Sequence, residues 1–213
     1  MTADLPFMQD VASNVAWFQE SPASLTEGVL RRATAHVGRN HTPALLAELL
    51  WADMLTEGLA TTFVAEAWSD AEYPEMVLDS ETWRDLFDLA GYTVDGKRSR
   101  RPAGLLRLYR GSAEEFRERM SWTDDLAIAR AYAGGFARRQ IGHIWTASVP
   151  AHALLARNTG RAESEYVVDT DMIDIEHLEN GRPIGDTNPL PPCLAPNMHD
   201  VIAALSAETG LLK

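Results

Sequence analysis

The periodicity of the sequence changes near residues 91–102, and this change constrains the fold more than any other feature. Before it, apolar residues recur at the spacing of an α-helix. After it, short runs rich in β-branched and aromatic residues indicate strands. The segment itself combines Asp-Gly, a basic run and a proline, which is typical of a turn or linker. We therefore predict an α+β protein with a helical domain at 1–95 and a β-rich domain at 96–213.

Three helix signals stand out in the N-terminal domain. Ser24 and Glu27 have the spacing of a capping box. The run 42–58 begins with Thr-Pro and ends in glycine, which predicts one helix, and Asp79 is placed to cap another. No catalytic combination of residues accompanies these signals, so this domain is predicted to be structural.

The C-terminal domain contains both strand and helix signals. Strands are predicted at 105–110, 141–149 and 164–170, with a further run at 171–178. Helices are predicted from Ser112 onward and across 123–139, and a proline-rich tail with a short final helix closes the chain.

Composition excludes several classes of protein. With 46% hydrophobic residues, 213 residues can bury a core of ordinary size, so the chain is not disordered. The single Cys193 cannot form an internal disulfide, and without Cys/His ligand spacing no metal site is predicted. No run of about 18 apolar residues is present and the N-terminus is acidic, so we expect a cytoplasmic protein that does not interact with membranes.

The net charge of −12 is unevenly distributed. Residues 1–95 hold 16 acidic and 4 basic residues, 96–161 hold 5 and 13, and 162–213 hold 10 and 2. The three segments therefore carry −12, +8 and −8. The basic middle segment is either a solvated face balanced by acidic neighbours or an anion-binding site.

Three short polar pieces of the C-terminal domain lie at predicted strand ends, where functional residues often collect. They are YRG at 109–111, SWT at 121–123 and ESE at 163–165. In an extended segment, two carboxylates two residues apart lie on the same face. Each piece alone fits an ordinary protein surface. The order Arg, Ser, Glu-x-Glu along the chain is a far more specific signal of function than any one piece.

The run LYRG…MSWTDDLAIARAYA…IWTASVP…ESEYVVD resembles the mono-ADP-ribosyltransferases of the Arg/Ser/Glu class, in their cholera-toxin-like branch. The resemblance spans roughly residues 105–178, about a third of the chain. It implies an ADP-ribosyltransferase-like split β-sheet core with NAD as substrate, in a toxin-like or effector protein.

The resemblance also implies a role for each matching residue. Arg110 would hold a phosphate of NAD, and Ser121 would stabilise the pocket and touch the nicotinamide ribose. Glu165 would hydrogen-bond the ribose 2′-hydroxyl and stabilise the cation that forms as nicotinamide leaves. Glu163 would position and polarise the acceptor nucleophile.

Further NAD-binding residues are expected beside these. Gly111, Trp122 and Thr123 adjoin them in sequence, and Tyr132 and Phe136 are candidates to stack on nicotinamide or adenine. A core position is an equal alternative for each ring, because both residues fall near helical spacing. Trp122 replaces the small central residue of the family's Ser-Thr-Ser element, and we expect its ring to turn away from the pocket.

The leading hypothesis is an NAD-dependent mono-ADP-ribosyltransferase. The Glu-x-Glu pair accompanies arginine acceptors in the family, so a protein arginine is the first choice of acceptor. A nucleic acid is less favoured because the flanking segments are acidic and lysine is rare. Two alternatives remain: an NAD glycohydrolase on the same fold, and a catalytically inert binding or inhibitory module.

Overall fold

A computed structural model describes residues 10–136, 140–160 and 164–183. The chain divides into two compact units between Arg100 and Arg101. The first unit is mainly helical, and the described residues of the second combine an antiparallel sheet with one α-helix. The α+β class and the N-terminal helical layout are therefore confirmed.

The first unit packs its helices around a core of aromatic and aliphatic side chains. Trp68 and Trp83 meet edge to face with ring centroids 5.0 Å apart, and both lie close to Phe87. Its elements are α1 (Val11–Glu20), α2 (Glu27–Val37), α3 (Thr42–Trp51), α4 (Glu57–Asp70), α5 (Pro74–Val77) and α6 (Ser80–Ala90), followed by the hairpin strands β1 (Thr93–Val94) and β2 (Lys97–Arg98).

The helix boundaries confirm one predicted cap and correct two other predictions. Asp79 caps α6, because its carboxylate accepts a hydrogen bond of 2.7 Å from the backbone N–H of Thr82. The predicted capping box is wrong, since α2 begins after Thr26 without a side-chain cap. The run 42–58 is two helices, α3 and α4, separated by a turn in which Asp53 has a φ of 56°.

The second unit contains six described strands in the spatial order β6-β7-β4-β3-β5-β8. All neighbouring pairs in this order are antiparallel. Its elements are β3 (Leu105–Ser112), β4 (Ser121–Thr123), α7 (Leu126–Ala133), β5 (His143–Pro150), β6 (Leu154–Asn158), β7 (Glu165–Val168) and β8 (Glu176–Asn180).

Helix α7 packs against one face of this sheet, which we call the α7 face. Ala129 and Ala133 of the helix pack with Ile144 of β5, which lies opposite Gly111 of β3. A Cβ atom on Gly111 would lie 2.0 Å from the carbonyl oxygen of Ala129, so only glycine allows this close approach. The structure thus gives Gly111, expected from the sequence to adjoin NAD, a packing role.

The strand predictions at 105–110 and 141–149 are confirmed as β3 and β5. The strand predicted at 164–170 is confirmed only over β7, because Ser164 is not extended and Thr170 begins a 3-10 turn. The helix predicted from Ser112 is wrong, because that segment holds only a 3-10 turn at Glu114–Phe116. The proline-rich tail, Cys193 and the predicted final helix lie outside the described residues. Within the described part of the chain, no helix has both the length and the hydropathy of a membrane span.

Candidate active site

A row of directly opposed residues crosses four strands on the α7 face. Asn158 of β6 lies opposite Glu165 of β7. Glu165 also lies opposite Thr123 of β4, and Thr123 lies opposite Tyr109 of β3. Directly opposed residues of antiparallel strands project to the same side of a sheet. Ser121 lies two residues before Thr123 and therefore shares this face.

Glu165 is held at both of its carboxylate oxygens. The Ser121 hydroxyl donates to Oε1 at 2.7 Å, and the Asn158 side-chain amide donates to Oε2 at 2.9 Å. Asn158 is buried, whereas Ser121 and Glu165 are partly exposed. One carboxylate is therefore oriented by two donors from different strands and remains accessible from solvent.

Arg110 is buried and contributes to the same arrangement through the backbone. Its Nε donates to the carbonyl oxygen of Phe116 at 2.9 Å, and its Nη1 donates to that of Ser121 at 2.5 Å. The guanidinium thus ties the loop after β3 to the first residue of β4. The structure links three predicted residues in one chain of contacts: Arg110 holds the backbone of Ser121, and the hydroxyl of Ser121 holds Glu165.

Asn158 is a site residue that the sequence analysis missed. It ends β6, a strand that was not predicted, and its contact with Glu165 depends on the pairing of β6 with β7. The only available sequence signal was an asparagine at the end of the largely apolar run ALLARN. No spacing rule connects this asparagine to a glutamate seven residues later.

Trp122 and Thr123 have different positions in β4. Trp122 is buried, and its indole N–H donates to the carbonyl oxygen of Arg119 at 3.0 Å. Strand alternation turns its side chain away from the α7 face, to the side opposite to Glu165. The side chain of Arg110 alternates to this same side, because Tyr109 before it lies on the α7 face. Thr123 is buried on the α7 face, where its Oγ1 accepts a 3.1 Å hydrogen bond from the backbone N–H of Asp125, the residue that caps α7.

Tyr132 and Phe136 contact each other near the C-terminal end of α7. Their ring centroids are 5.3 Å apart in an edge-to-face arrangement. Phe136 is buried, which fits the core position, whereas Tyr132 is partly exposed. Neither ring belongs to the row that contains Glu165.

The pair Glu163 and Glu165 is only partly visible. Glu163 lies outside the described residues, and β7 begins at Glu165. Ser164 between them has a φ of 47°, in the left-handed region rather than the extended one. The extended conformation predicted at Ser164 is therefore wrong.

A groove of about 310 Å³ lies farther along the sheet. The row continues from Tyr109 to Thr146 and Glu176, and both of these residues line the groove together with Arg107. Strands lie about 4.8 Å apart, so Thr146 is three strand spacings, roughly 14 Å, from Glu165. The groove and the Glu165 carboxylate are thus on one side of the sheet.

The chain matches no model of a known protein family, no curated protein and no solved structure. A functional proposal for this chain therefore rests on the contacts of Glu165 with Ser121 and Asn158.

Proposed function

We propose that the second unit is an NAD-dependent mono-ADP-ribosyltransferase with an ADP-ribosyltransferase-like core. The observation that carries the proposal is the chain of contacts from Arg110 through Ser121 to Glu165. These residues come from three different strands and are separated by 11 and 44 positions, so their meeting was not implied by sequence proximity. They are also the Arg, Ser and second Glu on which the family resemblance depends.

The chemistry of NAD cleavage explains what such a carboxylate would do. When the bond between the ribose C1′ and the nicotinamide nitrogen breaks, the electron pair leaves with nicotinamide and positive charge develops on the sugar. A carboxylate aimed at the ribose stabilises that charge more in the transition state than in the ground state. We assign this role to Glu165, whose orientation is set before substrate binds by Ser121 and Asn158.

The acceptor completes the reaction. Its nucleophilic atom forms a bond to C1′ and loses a proton, which leaves ADP-ribose attached to the acceptor. We assign the polarisation of the acceptor to Glu163 and propose a protein arginine as the acceptor.

The proposal is tested by incubating the full-length protein with NAD labelled in its adenylate moiety and a cell lysate. Label on protein, label on nucleic acid and free ADP-ribose are measured in parallel, with Glu165→Gln as the inactive control. We expect label on protein that depends on Glu165 and is resistant to nuclease.

Other distributions of label would contradict the proposal. Free ADP-ribose without labelled macromolecules would identify an NAD glycohydrolase, and label on nucleic acid would overturn the choice of acceptor. If no NAD is consumed and NAD leaves the thermal unfolding midpoint unchanged, the protein is an inert module. A ligand at 100 times its Kd would stabilise the folded protein by about 2.7 kcal/mol.

A further inference from the structure

Two histidines, a tryptophan and an asparagine cluster on β5 and on β8, the strand at the edge of the sheet. His143 is the direct partner of Asn180, and Trp145 is the direct partner of His177. Ile144, between the two β5 residues, faces α7, so the four side chains of the cluster lie on the opposite face.

An irregularity in β8 brings these side chains together. His177 and Asn180 are three residues apart and would project to opposite faces of a regular strand. The register shifts between Ile144 and Trp145, where Leu178 is the extra residue on β8. Bulges of this kind re-aim side chains and are frequent beside functional sites. As a result, the ring centroids of His143, Trp145 and His177 are all 5.3 to 5.5 Å from one another.

Three potential metal donors converge within this cluster. The Asn180 Oδ1 atom is 3.0 Å from His143 Nδ1 and 3.2 Å from His177 Nε2. An ion bonded to each donor at about 2.1 Å would subtend angles of roughly 90 to 100° between oxygen and nitrogen, which falls between octahedral and tetrahedral coordination. His177 and Asn180 are exposed, so an ion can enter from solvent.

We propose that His143, His177 and Asn180 form a binding site for a divalent transition-metal ion of the zinc type, with water completing the coordination. Neutral imidazole nitrogens suit Zn²⁺, Co²⁺ and Ni²⁺, whereas Mg²⁺ and Ca²⁺ prefer oxygen ligands. In the structure Asn180 Oδ1 accepts a hydrogen bond from each of these two nitrogens. Metal binding would therefore require each imidazole to carry its proton on the other ring nitrogen, so that the nitrogen facing Asn180 can bind the ion.

Sequence spacing alone did not reveal this site. His143 and Asn180 are 37 positions apart, and the described residues contain no group of three or more His, Cys, Asp or Glu side chains that could hold a metal. The third donor is an amide oxygen, which becomes available only through the pairing of β5 with β8. The proposed metal ligands are different residues from those of the proposed transferase site, and they lie on the other face of the sheet from Glu165. Arg110 is the direct partner of Trp145 on that face.

The site is tested by titrating untagged, full-length protein with Zn²⁺ by calorimetry and with Co²⁺ by visible absorption. We expect saturable binding of one ion at this site, together with Co²⁺ absorption bands that Zn²⁺ abolishes. Loss of a residue that only supports a metal ligand weakens metal binding roughly 10- to 100-fold. His143→Gln and His177→Gln each remove a ligand, so we expect each to weaken binding by at least that factor. His152→Gln is the matched control, because His152 is an exposed histidine of the same unit.

Circular dichroism checks that each variant is folded, and Asn180→Ala provides a third variant at an exposed position. The proposal is overturned if the wild-type protein shows no saturable binding. It is also overturned if the double variant of His143 and His177 binds as tightly as the wild type, or if His152→Gln weakens binding as much as the two site variants.

Discussion

Replacing Ser121 with alanine tests how the Glu165 carboxylate is held. The substitution removes the 2.7 Å hydrogen bond to Glu165 but leaves the Ser121 carbonyl that accepts from Arg110. A hydrogen bond to a charged group contributes about 1.5 to 3 kcal/mol. If that energy is lost from the transition state, kcat falls roughly 10- to 150-fold, since about 1.4 kcal/mol corresponds to a factor of ten.

The assay is the steady-state rate of nicotinamide release, with kcat and KM determined separately. Ser121 acts through Glu165, so we expect the loss mainly in kcat. Ser112→Ala is the matched control, because the Ser112 hydroxyl is buried in the same sheet and has no hydrogen-bond partner among the residues that the structure describes. Removing an unpaired buried hydroxyl should be neutral or slightly stabilising.

A second substitution makes the test sharper. Asn158→Ala removes the other donor to Glu165. In the double variant of Ser121 and Asn158, the loss of activation free energy should differ from the sum of the two single losses by about 0.5 to 3 kcal/mol, as expected for residues that share a partner. The reasoning is refuted if Ser121→Ala keeps wild-type kcat while the protein turns over NAD, or if Ser112→Ala loses as much activity.

Three further predictions concern packing, pH and the acceptor. Gly111→Ala should destabilise the fold by about 1 to 3 kcal/mol in chemical denaturation, because its Cβ would overlap backbone atoms of α7. Gly58→Ala should not, because beyond its own helix and chain neighbours no described atom lies within 4 Å of the new Cβ. The hydrogen bond from Arg130 lowers the pKa of Glu179 below its usual value of 4.5, so the stability that this group contributes is present above pH 4.5 and is lost as the pH falls below it. The difference in unfolding free energy between wild type and Glu179→Gln should therefore shrink on acidification, and a constant difference would contradict the assignment. Glu163→Gln should lower transfer of label to protein more than nicotinamide release, and an equal loss of both would exclude its role at the acceptor.

The sequence predicted the elements whose signals are local. Strands β3, β5 and β7 follow from short runs of β-branched and aromatic residues, and the cap of α6 follows from Asp79 at its first turn. The capping-box prediction failed because a matching spacing does not ensure that the backbone turns there, and at Thr26 it begins a helix without any side-chain cap. The helix predicted from Ser112 failed as well, since that segment holds only a 3-10 turn, so a local helix signal does not ensure a helix.

In the candidate site, too, residues with a local sequence signal were predicted and residues placed by strand pairing were not. Arg110, Ser121 and Glu165 were found from their order in the chain, and Asn158 was missed because only strand pairing brings it to Glu165. Gly111 was expected beside NAD, but its close approach to α7 is a tertiary constraint that sequence spacing does not contain. The residues that support a functional group are set by sheet register, which one sequence does not reveal.

The most direct test of the account compares NAD cleavage by the wild-type protein and Glu165→Gln in single-turnover experiments, with NAD binding measured separately. Loss of a preorganised electrostatic group should lower the rate of nicotinamide release by roughly 100- to 1000-fold, or about 2.7 to 4 kcal/mol. We expect that loss with NAD still bound by the variant. Release by Glu165→Gln at near the wild-type rate would contradict the central claim that this carboxylate stabilises the developing charge on the ribose.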